Sequence, residues 1–445
     1  MEQRSYYLET WGCQMNVLDS QRLEGVLQAR GLVAAEQPQQ ADIALLNTCA
    51  VRDKAVQKVL SRLGELRRTA AEHGRPRLIG LCGCVAEQDG EKLLARSTAP
   101  DFVLGPGRIA DLELALGAVG ARRERVFTGF TARYAGYDAH LIARGGAARQ
   151  FVTAVQGCSH HCTFCVVPYT RGHEVSRPLS EIVAEIRELA DNGTREVTLL
   201  GQTINAYRCP ESGADFCELL AHVCAIDKLW NVQFITSHPR HFTDRLIALL
   251  GQLPRLGSYL HLPFQAGSDA VLARMHRGYS RAEYLDLIAM IRARVPTVTL
   301  STDVIVGFPG ETEADFESTL DVLARVRFGQ LYGFAFSPRP HTPATHYQDR
   351  VGAAEARSRL ERLFALQHGI QLILNQALIG SSREILVDGP AKRGTDVWQG
   401  RGRDNRVVNF SSWEGLAGGQ LATVTISGAT AHALVGERRL ADAAA

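Results

Sequence analysis

The sequence contains no run of about 18 or more apolar residues, so we predict no transmembrane helix and no membrane partner. The N-terminal residues MEQRSYYLETWGC lack an apolar core followed by a small-residue cleavage site, so a secretory signal is not expected. A charge excess is missing as well: 49 Lys and Arg against 47 Asp and Glu give a net charge of +2, which neither demands nor excludes nucleic acid. These absences predict a soluble protein of the cytoplasm.

A disulfide framework is not expected either. The chain has 445 residues, ten of them cysteine, and a large protein without a secretory signal keeps its thiols reduced. This length exceeds what one hydrophobic core supports and predicts about two to four domains. Some cysteines should therefore be metal ligands and others small core residues. Cys217 and Cys224, seven apart on a predicted helix, are assigned to the core, and Cys209 matches no ligand pattern.

One cysteine motif lacks an expected ligand. The stretch GCSHHCTFC (157–165) carries three cysteines in the spacing C-x3-C-x2-C, whereas a closed zinc site and a fully protein-ligated iron–sulfur cluster each take four ligands. Three thiolates on a cubane cluster leave one iron open to bind a substrate. The alternative is a zinc site completed by His160 or His161, although catalytic zinc sites seldom use this spacing.

The first 117 residues alternate short apolar runs with stretches of helical periodicity, which predicts a small α/β domain with a parallel sheet. The predicted strands are SYYLET, DIALLNT and RLIGLCG, and the predicted helices are 16–30, 52–73 and 86–96. Each strand is followed within a few residues by a cysteine: Cys13, Cys49 and Cys84. Because functional groups gather beyond the carboxyl ends of parallel strands, these thiols could converge; the alternative is three separate buried thiols. Cys82 would lie within its strand, in the core.

Six strand-like runs with helices between them recur from 151 to about 336. They are FVTAV, EVTLL, NVQFI, SYLHL, VTLSTDVIV and QLYGFAF. Six βα units are too few for the usual eight-stranded barrel, so we predict an open, partial (βα)6 barrel. Its active site should lie at the C-terminal ends of the strands, and the three-cysteine motif directly follows the first one.

The C-terminal part changes in character. An amphipathic helical connector is predicted at 353–376, and from about 379 the runs EILVDG, RVVNF and ATVTIS alternate with Gly-rich turns, which predicts a small all-β barrel. The Arg- and Gly-rich stretch before the first barrel strand predicts a linker. We therefore expect an α/β multidomain chain with an N-terminal domain at 1–118, a linker at 119–150, a central domain at 151–375 and a β-barrel at 376–440.

The C-x3-C-x2-C spacing resembles that of the radical S-adenosylmethionine (SAM) superfamily, in which SAM takes the open iron. From about residue 5 to 440, the chain is similar to the methylthiotransferases that form 2-methylthio-N6-isopentenyladenosine in tRNA. GRGRDNRVVNF (400–410) resembles a TRAM domain, a small RNA-binding barrel. The other motifs that carry the resemblance are GCQMN (12–16), NTCAVRDKA (47–55), GCVAEQ (83–88), GCSHHCTFCVVPYTRGHEVSRP (157–178), LLGQTINAY (199–207), TSHPRHF (236–242), LHLPFQAGSD (260–269), STDVIVGFPGETEADF (301–316) and FSPRPHTPA (336–344).

This resemblance implies two [4Fe-4S] clusters, with SAM as a further cofactor. An auxiliary cluster would be bound by Cys13, Cys49 and Cys84. The radical-SAM cluster would be bound by three residues that are also catalytic: Cys158, Cys162 and Cys165. The loops after the barrel strands supply the predicted cofactor contacts Gln202, Gln265, Asp303 and Gly307. Predicted substrate contacts are Tyr169 and Arg171 near the cluster motif, and Lys392, Arg393, Arg401, Arg403 and Arg406 in the TRAM region, where they could meet phosphates.

The reaction implied is conversion of N6-isopentenyladenosine at position 37, beside the anticodon, to its 2-methylthio derivative. One SAM would give the 5′-deoxyadenosyl radical and a second the methyl group, with sulfur from the auxiliary cluster. The implied partners are a tRNA carrying isopentenyladenosine and an external electron donor, and a monomer is expected. The alternatives are methylthiolation of threonylcarbamoyladenosine or of a ribosomal protein and, in another class, a non-enzymatic iron–sulfur carrier or RNA-binding scaffold.

Three positions depart from the family pattern. Thr203 stands where Asn is usual, Ala266 replaces Ser, and His341 replaces Gly. Since none of them is a cluster cysteine, they bear on details of the pocket and leave the implied reaction class unchanged.

Overall fold

The computed structural model describes residues 3–50, 53–118, 125–130, 139–391 and 396–438. Within these ranges it confirms the predicted fold class: a parallel α/β domain, a partial barrel of six parallel strands and a closed all-β barrel follow one another along the chain. No helix in the described ranges is long and apolar enough to cross a membrane.

The N-terminal domain is a six-stranded parallel sheet in the order β2-β1-β3-β4-β5-β6. Its helices cover both faces: leucines of α1 pack in one core cluster, and leucines of α2 pack in a second. The strands are β1 (Ser5–Trp11), β2 (Val33–Ala34), β3 (Ile43–Thr48), β4 (Leu78–Gly83), β5 (Phe102–Leu104) and β6 (Val126–Phe127), and the helices are α1 (Gln14–Ala29), α2 (Asp53–His73), α3 (Cys84–Leu94) and α4 (Leu112–Ala118).

The predicted linker at 119–150 contains part of this domain. Strand β6 lies inside it and pairs with β5. Further along, Ile142 packs with Met15 and Leu18 of α1 and with Leu200 of the central domain. The backbone is close enough here that a Cβ on Gly25 would lie 1.2 Å from the carbonyl oxygen of Leu141. These contacts hold α1 against the central domain.

In the central domain all six predicted strands form, as two three-stranded parallel sheets, β11-β10-β7 and β12-β13-β14, with β11 beside β12. A short antiparallel pair, β8 and β9, flanks the cysteine loop. The strands are β7 (Arg149–Thr153), β8 (Val155–Gln156), β9 (Val175–Ser176), β10 (Glu196–Leu200), β11 (Asn231–Phe234), β12 (Tyr259–His261), β13 (Thr299–Val306) and β14 (Gln330–Ala335), and the helices are α5 (Val167–Arg171), α6 (Leu179–Asp191), α7 (Phe216–Cys224), α8 (Asp244–Leu249), α9 (Asp269–Arg274), α10 (Arg281–Arg294) and α11 (Glu313–Val326).

Helix α12 (Ala353–Gln376) leads into the C-terminal barrel, whose closed order is β15-β16-β17-β19-β18. Its interior is filled by alternating apolar residues of these strands, as in other small barrels. The strands are β15 (Ser382–Pro390), β16 (Val397–Arg401), β17 (Val407–Ser411), β18 (Leu421–Ala429) and β19 (Leu434–Arg438).

The C-terminal barrel docks on the N-terminal ends of the central strands. Arg149, the first residue of β7, donates from Nη2 to the carbonyl of Leu386 at 2.9 Å and forms an ion pair with Asp388. Arg406 donates from Nη1 to Thr299, the first residue of β13, at 2.7 Å. The cysteine motif lies at the other, C-terminal end of the same strands. The N-terminal ends of the central strands therefore bind the C-terminal barrel, and their C-terminal ends carry the cysteine motif.

Candidate functional site

The structure brings together the three N-terminal cysteines, Cys13, Cys49 and Cys84, which we call the auxiliary triad. Cys13 is the N-cap residue of α1, and Cys84 is the first residue of α3. The strands before these cysteines, β1, β3 and β4, are neighbours in the sheet, so all three cysteines reach the same sheet edge. A hydrogen bond with Cys49 is the main cause that lowers the pKa of Cys13 to about 6. Cys84 in turn lies close enough to Cys13 for the charge of Cys13 to raise the pKa of Cys84.

Two asparagines hold the loops of this triad. The amide of Asn16 donates to Asn47 Oδ1 and to the carbonyl of Thr48, both at 3.2 Å, and Asn47 donates back to the carbonyl of Asn16 at 2.8 Å. Asn16 also accepts from the thiol of Cys13 at 3.3 Å. Both amides are buried, so these bonds fix the relative positions of the first two strand ends. Their motifs, GCQMN and NTCAVRDKA, were quoted above without a role for either asparagine.

Gly83 allows the third strand end to come equally close. Its φ of +88° favours glycine, and a Cβ there would lie 2.4 Å from Asn47 Oδ1 and 2.5 Å from the carbonyl oxygen of Thr48. The glycine before Cys84 is therefore required by backbone conformation and by packing against the asparagine pair.

Arg171, predicted as a pocket-lining residue, lies beneath the auxiliary triad. Its side chain is only 3% exposed, and Nη2 is 2.7 Å from Oδ2 of Asp19, which is also buried. Burial lowers the pKa of Arg171, but the charges of Asp19, Cys84 and Cys13 raise it overall, so the guanidinium remains charged. Arg171 is the last residue of α5, which begins two residues after Cys165. This short helix therefore connects the two groups of cysteines.

The second group, Cys158, Cys162 and Cys165, we call the SAM triad. It occupies the loop after β8, at the C-terminal end of the first barrel strand. Gly157 enters this loop with a φ of +78°, and a Cβ there would lie 2.0 Å from the carbonyl oxygen of His173. The amide of Cys158 donates to the carbonyl of Gly172 at 3.1 Å, which closes the loop. Burial raises the pKa of Cys165 to about 12, helped by the neighbouring charges of Cys162 and Cys158.

Polar groups from other barrel loops reach the SAM triad. Thr203 contacts the sulfur of Cys158 through Oγ1 at 3.2 Å, and Gln202 accepts from the amide of Gly157 at 2.5 Å. The buried guanidinium of Arg277 donates to the sulfur of Cys162 at 3.4 Å. Thr203, a departure from the family pattern, thus retains a direct contact with a cluster cysteine. Arg277 lies in no motif quoted above and was missed.

Three histidine rings, those of His160, His238 and His241, cluster beside this loop. Nε2 of His160 lies 2.8 Å from Nε2 of His241, and the ring of His160 stacks on His238 at 4.2 Å between centroids. Burial lowers the pKa of His160 to about 4, so the ring is neutral at physiological pH. His160, one of the residues that could have completed a zinc site, is therefore engaged with a second imidazole through Nε2. The TSHPRHF motif supplies both partners.

The predicted cofactor contacts divide into two groups. Gln265, with a φ of +70°, accepts from the amide of Ile305 at 3.0 Å through its carbonyl, and Asp303 lies 3.5 Å from Nε2 of His261. Gln265, like Gln202, lies in a loop after a barrel strand, whereas Asp303 lies within β13 and not in the predicted loop after it, because β13 continues to Val306. Gly307 instead packs against α12: a Cβ there would lie 2.8 Å from the Cβ of Ala356. Its glycine is explained by that contact and by a φ of +69°.

The predicted RNA contacts are also divided. Tyr169 is 43% exposed, and its ring lies 5.8 Å from that of His341. Arg401 is partly exposed, whereas Arg403 donates to the carbonyl of Leu256 at 3.2 Å and Arg406 to Thr299, both in the central domain. The last two therefore serve the docking of the C-terminal barrel. Lys392 and Arg393 lie outside the described residues.

The donor sets fit iron–sulfur clusters. In the SAM triad each thiol influences the others electrostatically, and in the auxiliary triad Cys13 interacts with both Cys49 and Cys84. Among the residues that the structure describes, no three His, Cys, Asp or Glu side chains are grouped so as to share a single metal ion. This is compatible with a cluster, because each thiolate of a cubane binds its own iron. Both donor sets stop at three thiols, so each would leave one iron free of protein.

Comparison with known proteins agrees with this geometry. The family model of the radical SAM superfamily matches residues 152–323, and that of the uncharacterized protein family UPF0004 matches residues 5–105. Among solved structures, the radical SAM methyltransferase TsrM from Kitasatospora setae superposes with a TM-score of 0.57 at 14% identity, covering 77% of each chain. At that identity the likeness concerns the fold. The class defined by fold and site is thus that of radical SAM proteins with an additional N-terminal cysteine domain.

The relatives in sequence narrow the class to one family. The tRNA-2-methylthio-N(6)-dimethylallyladenosine synthase of Geobacter metallireducens is 42% identical over 433 residues, 97% of both chains. The synthase of the same name from Coxiella burnetii is 41% identical, covering 98% of this chain and 99% of its own. A third, from Methylococcus capsulatus, is 42% identical over 435 residues. The chain belongs to the tRNA-2-methylthio-N(6)-dimethylallyladenosine synthase family.

Proposed function

We propose that this chain is the radical SAM methylthiotransferase that converts N6-isopentenyladenosine at position 37 of tRNA to its 2-methylthio derivative. The observation that carries the proposal is the pairing of two three-thiol sites through α5. That helix starts beside Cys165 and ends in Arg171 beneath Cys84. A single-cluster radical enzyme has no use for the second set of thiols, whereas sulfur insertion requires a separate source of sulfur.

The chemistry itself belongs to the cofactors. Cys158, Cys162 and Cys165 would hold the cluster that supplies the electron for SAM cleavage, Cys13, Cys49 and Cys84 would hold the cluster that is the source of sulfur, and a second SAM would be the methyl donor. An external electron donor is needed for the reduction. A C2–H bond of adenine is not acidic enough for removal by a side-chain base, so the reaction does not depend on a general base at C2.

The residues of the chain position these groups and exclude water. Thr203 and Arg277 contact the thiols of Cys158 and Cys162 and hold them in the loop. The asparagine pair and Gly83 do the same for the auxiliary triad. Cys49, Cys84, Cys158 and Cys162 are each less than a tenth exposed, whereas Cys165 is partly buried and Cys13 is exposed. A water-poor environment protects a carbon radical from side reactions.

Tyr169 is the candidate for contact with the base. Bases of single-stranded loops are bound by stacking on aromatic side chains, and this ring is exposed although it lies four residues after Cys165. His341 beside it is also exposed and has a φ of +68°, which is uncommon for a non-glycine residue. Left-handed residues of this kind concentrate at ligand sites. The exposed rings of Tyr169 and His341 therefore offer an aromatic surface close in the chain to Cys165.

The C-terminal barrel is proposed to bind the tRNA away from the modified base, because it docks at the end of the central domain opposite the SAM triad. Arg401, with a side chain 38% exposed, is its candidate for a phosphate contact. Arg403 and Arg406 contribute by holding the barrel in place.

The test is an anaerobic reaction of the reconstituted protein with SAM, a reductant and tRNA carrying isopentenyladenosine, followed by nucleoside mass spectrometry. We expect 2-methylthio-N6-isopentenyladenosine together with 5′-deoxyadenosine. Product from threonylcarbamoyladenosine tRNA or from a ribosomal protein, with none from the first substrate, would assign the chain to another branch. Absence of 5′-deoxyadenosine with a fully loaded protein would favour the non-enzymatic carrier or scaffold.

A further inference from the structure

Arg171 has a hydrogen-bonding capacity that the folded chain leaves unused. Its side chain is 97% buried, yet in the part of the chain that the structure describes neither Nη1 nor Nη2 has a hydrogen-bond partner, and Nη2 is matched only by the ion pair with Asp19. Buried donors are nearly always paired, and a missing partner calls for an explanation. A buried guanidinium is costly unless its charge and its donors are satisfied.

The surroundings of the unused donor are the auxiliary triad. Helix α5, which ends in Arg171, packs against α3, the helix that begins with Cys84. Nη2 of Arg171 contacts Oδ2 of Asp19 at 2.7 Å. Asp19 lies on α1, the helix that Cys13 caps, whereas Arg171 comes from the cysteine loop of the central domain. The pair therefore spans the two domains at the auxiliary triad.

We propose that Arg171 is a positioning residue for the auxiliary cluster, that its free Nη1 donates to a sulfur of that cluster, and that Asp19 holds the guanidinium in this orientation. The inference rests on the proposed function, because it assumes a cluster on Cys13, Cys49 and Cys84. Hydrogen bonds to cluster sulfurs and nearby charges set the reduction potential of iron–sulfur clusters. Because Arg171 belongs to the central domain, the reduction potential of the auxiliary cluster then depends on the contact between the N-terminal and central domains.

The two partners should shift that potential in opposite directions. A positive charge favours the reduced, more negative state, so Arg171→Gln should lower the midpoint potential of the auxiliary cluster. Removing the negative charge with Asp19→Asn should raise it. Loss of folding cannot produce opposite shifts, so the sign separates an electrostatic role from a merely structural one. Arg171→Lys keeps the charge and should restore a potential close to that of the parent.

The experiment is a redox titration followed by electron paramagnetic resonance, on the full-length chain with Cys158, Cys162 and Cys165 changed to Ala so that only the auxiliary cluster contributes. Arg359→Gln is the matched control, since Arg359 is an equally buried arginine paired with Glu311 in the central domain, and it should leave the potential unchanged. If the parent binds iron but Arg171→Gln and Asp19→Asn leave the midpoint potential unchanged, the inference is overturned and the proposed function is not affected. A parent that binds no iron would overturn the proposed function and the inference with it.

Discussion

The auxiliary triad takes its cysteines from three strand ends, at positions 13, 49 and 84, whereas the SAM triad takes all three from the single stretch 157–165. One is assembled by the order of strands in a parallel sheet, the other by a short loop. The auxiliary triad is consequently held by residues from several segments, such as Asn16 and Asn47. The SAM loop is closed by its own backbone, through Cys158 and Gly172.

The two triads also differ in how a buried arginine is balanced. Arg171 is paired with the carboxylate of Asp19. Arg277 instead donates to Tyr279, to the carbonyl of Pro263 and to the thiol of Cys162. Nε, Nη1 and Nη2 of Arg277 therefore each have a hydrogen-bond partner, whereas Nη1 and Nη2 of Arg171 have none among the described residues. This difference suggests that the SAM triad is largely organised before a cluster binds, and that the auxiliary triad is completed by its cluster.

The strongest test of the comparison removes one triad at a time. Each cubane cluster carries four irons, so the reconstituted protein should bind about eight. Changing Cys158, Cys162 and Cys165 to Ala should leave about four irons and abolish 5′-deoxyadenosine release. Changing Cys13, Cys49 and Cys84 to Ala should also leave about four, but preserve that release while abolishing methylthiolation. Iron and sulfide analysis with Mössbauer spectra provides the count.

A total of about four irons that falls to none in the SAM-triad variant would contradict the comparison. The auxiliary cysteines would then bind no cluster, and the sulfur source would be lost from the proposed mechanism. Cys217→Ala and Cys224→Ala are suitable controls, because both thiols belong to the apolar core of the central domain.

Gly83→Ala should affect the auxiliary triad alone. Gly83 and Gly74 both have positive φ, +88° and +69°, but a Cβ at Gly74 meets nothing within 4 Å. Alanine at Gly74 therefore bears only the backbone penalty of about 1 kcal/mol. At Gly83 the clash with Asn47 and Thr48 adds about 1–3 kcal/mol. Denaturant unfolding should show this difference, and iron analysis should show about four irons lost from Gly83→Ala and none from Gly74→Ala. Equal stability and equal iron content in the two variants would mean that the close approach of Gly83 to Asn47 and Thr48 is not needed.

Arg277→Met should affect the SAM triad alone. It removes charged hydrogen bonds to Cys162 and to the buried carbonyl of Pro263, with an expected loss of about 1.5–3 kcal/mol in unfolding free energy. The partly exposed Arg274, three residues earlier and 3.6 Å from Asp349, is the control, and Arg274→Met should cost less than about 1 kcal/mol. In a background without the auxiliary cysteines, Arg277→Met should also retain less iron. If iron retention were unchanged, the contact with Cys162 would be incidental.

The same contrast explains what could be predicted from the sequence. The spacing of Cys158, Cys162 and Cys165 is local, so the SAM triad was visible without a fold. The strand ends at Cys13, Cys49 and Cys84 were predictable because apolar runs identify buried parallel strands. Arg171 could not be placed correctly, since its partner Asp19 lies more than 150 positions away in sequence.

Other long-range features were equally inaccessible. Arg403 and Arg406 resemble surface charges in sequence, yet they bind carbonyl and hydroxyl groups of the central domain. Nothing in their local spacing distinguishes such a docking arginine from one that meets a phosphate. The sequence motif predicts a cofactor contact for Gly307. Its contact with Ala356 arises only when α12 packs on the central domain, so local sequence does not reveal it.

Tyr169→Ala should give the smallest effect, a loss of tRNA affinity without a loss of iron. It tests whether the exposed and the buried face of α5 have different roles. Tyr169 is exposed beside the SAM triad, whereas Arg171, two residues later, is buried under the auxiliary triad. Stacking of one base on an aromatic ring contributes about 1–3 kcal/mol, so Tyr169→Ala should weaken tRNA binding about tenfold. Tyr169→Phe keeps the ring and should bind nearly as well as the wild type. Neither variant should lose iron. Unchanged affinity in Tyr169→Ala, measured anaerobically with tRNA carrying isopentenyladenosine, would remove Tyr169 from the substrate site and leave α5 as a link between the two triads.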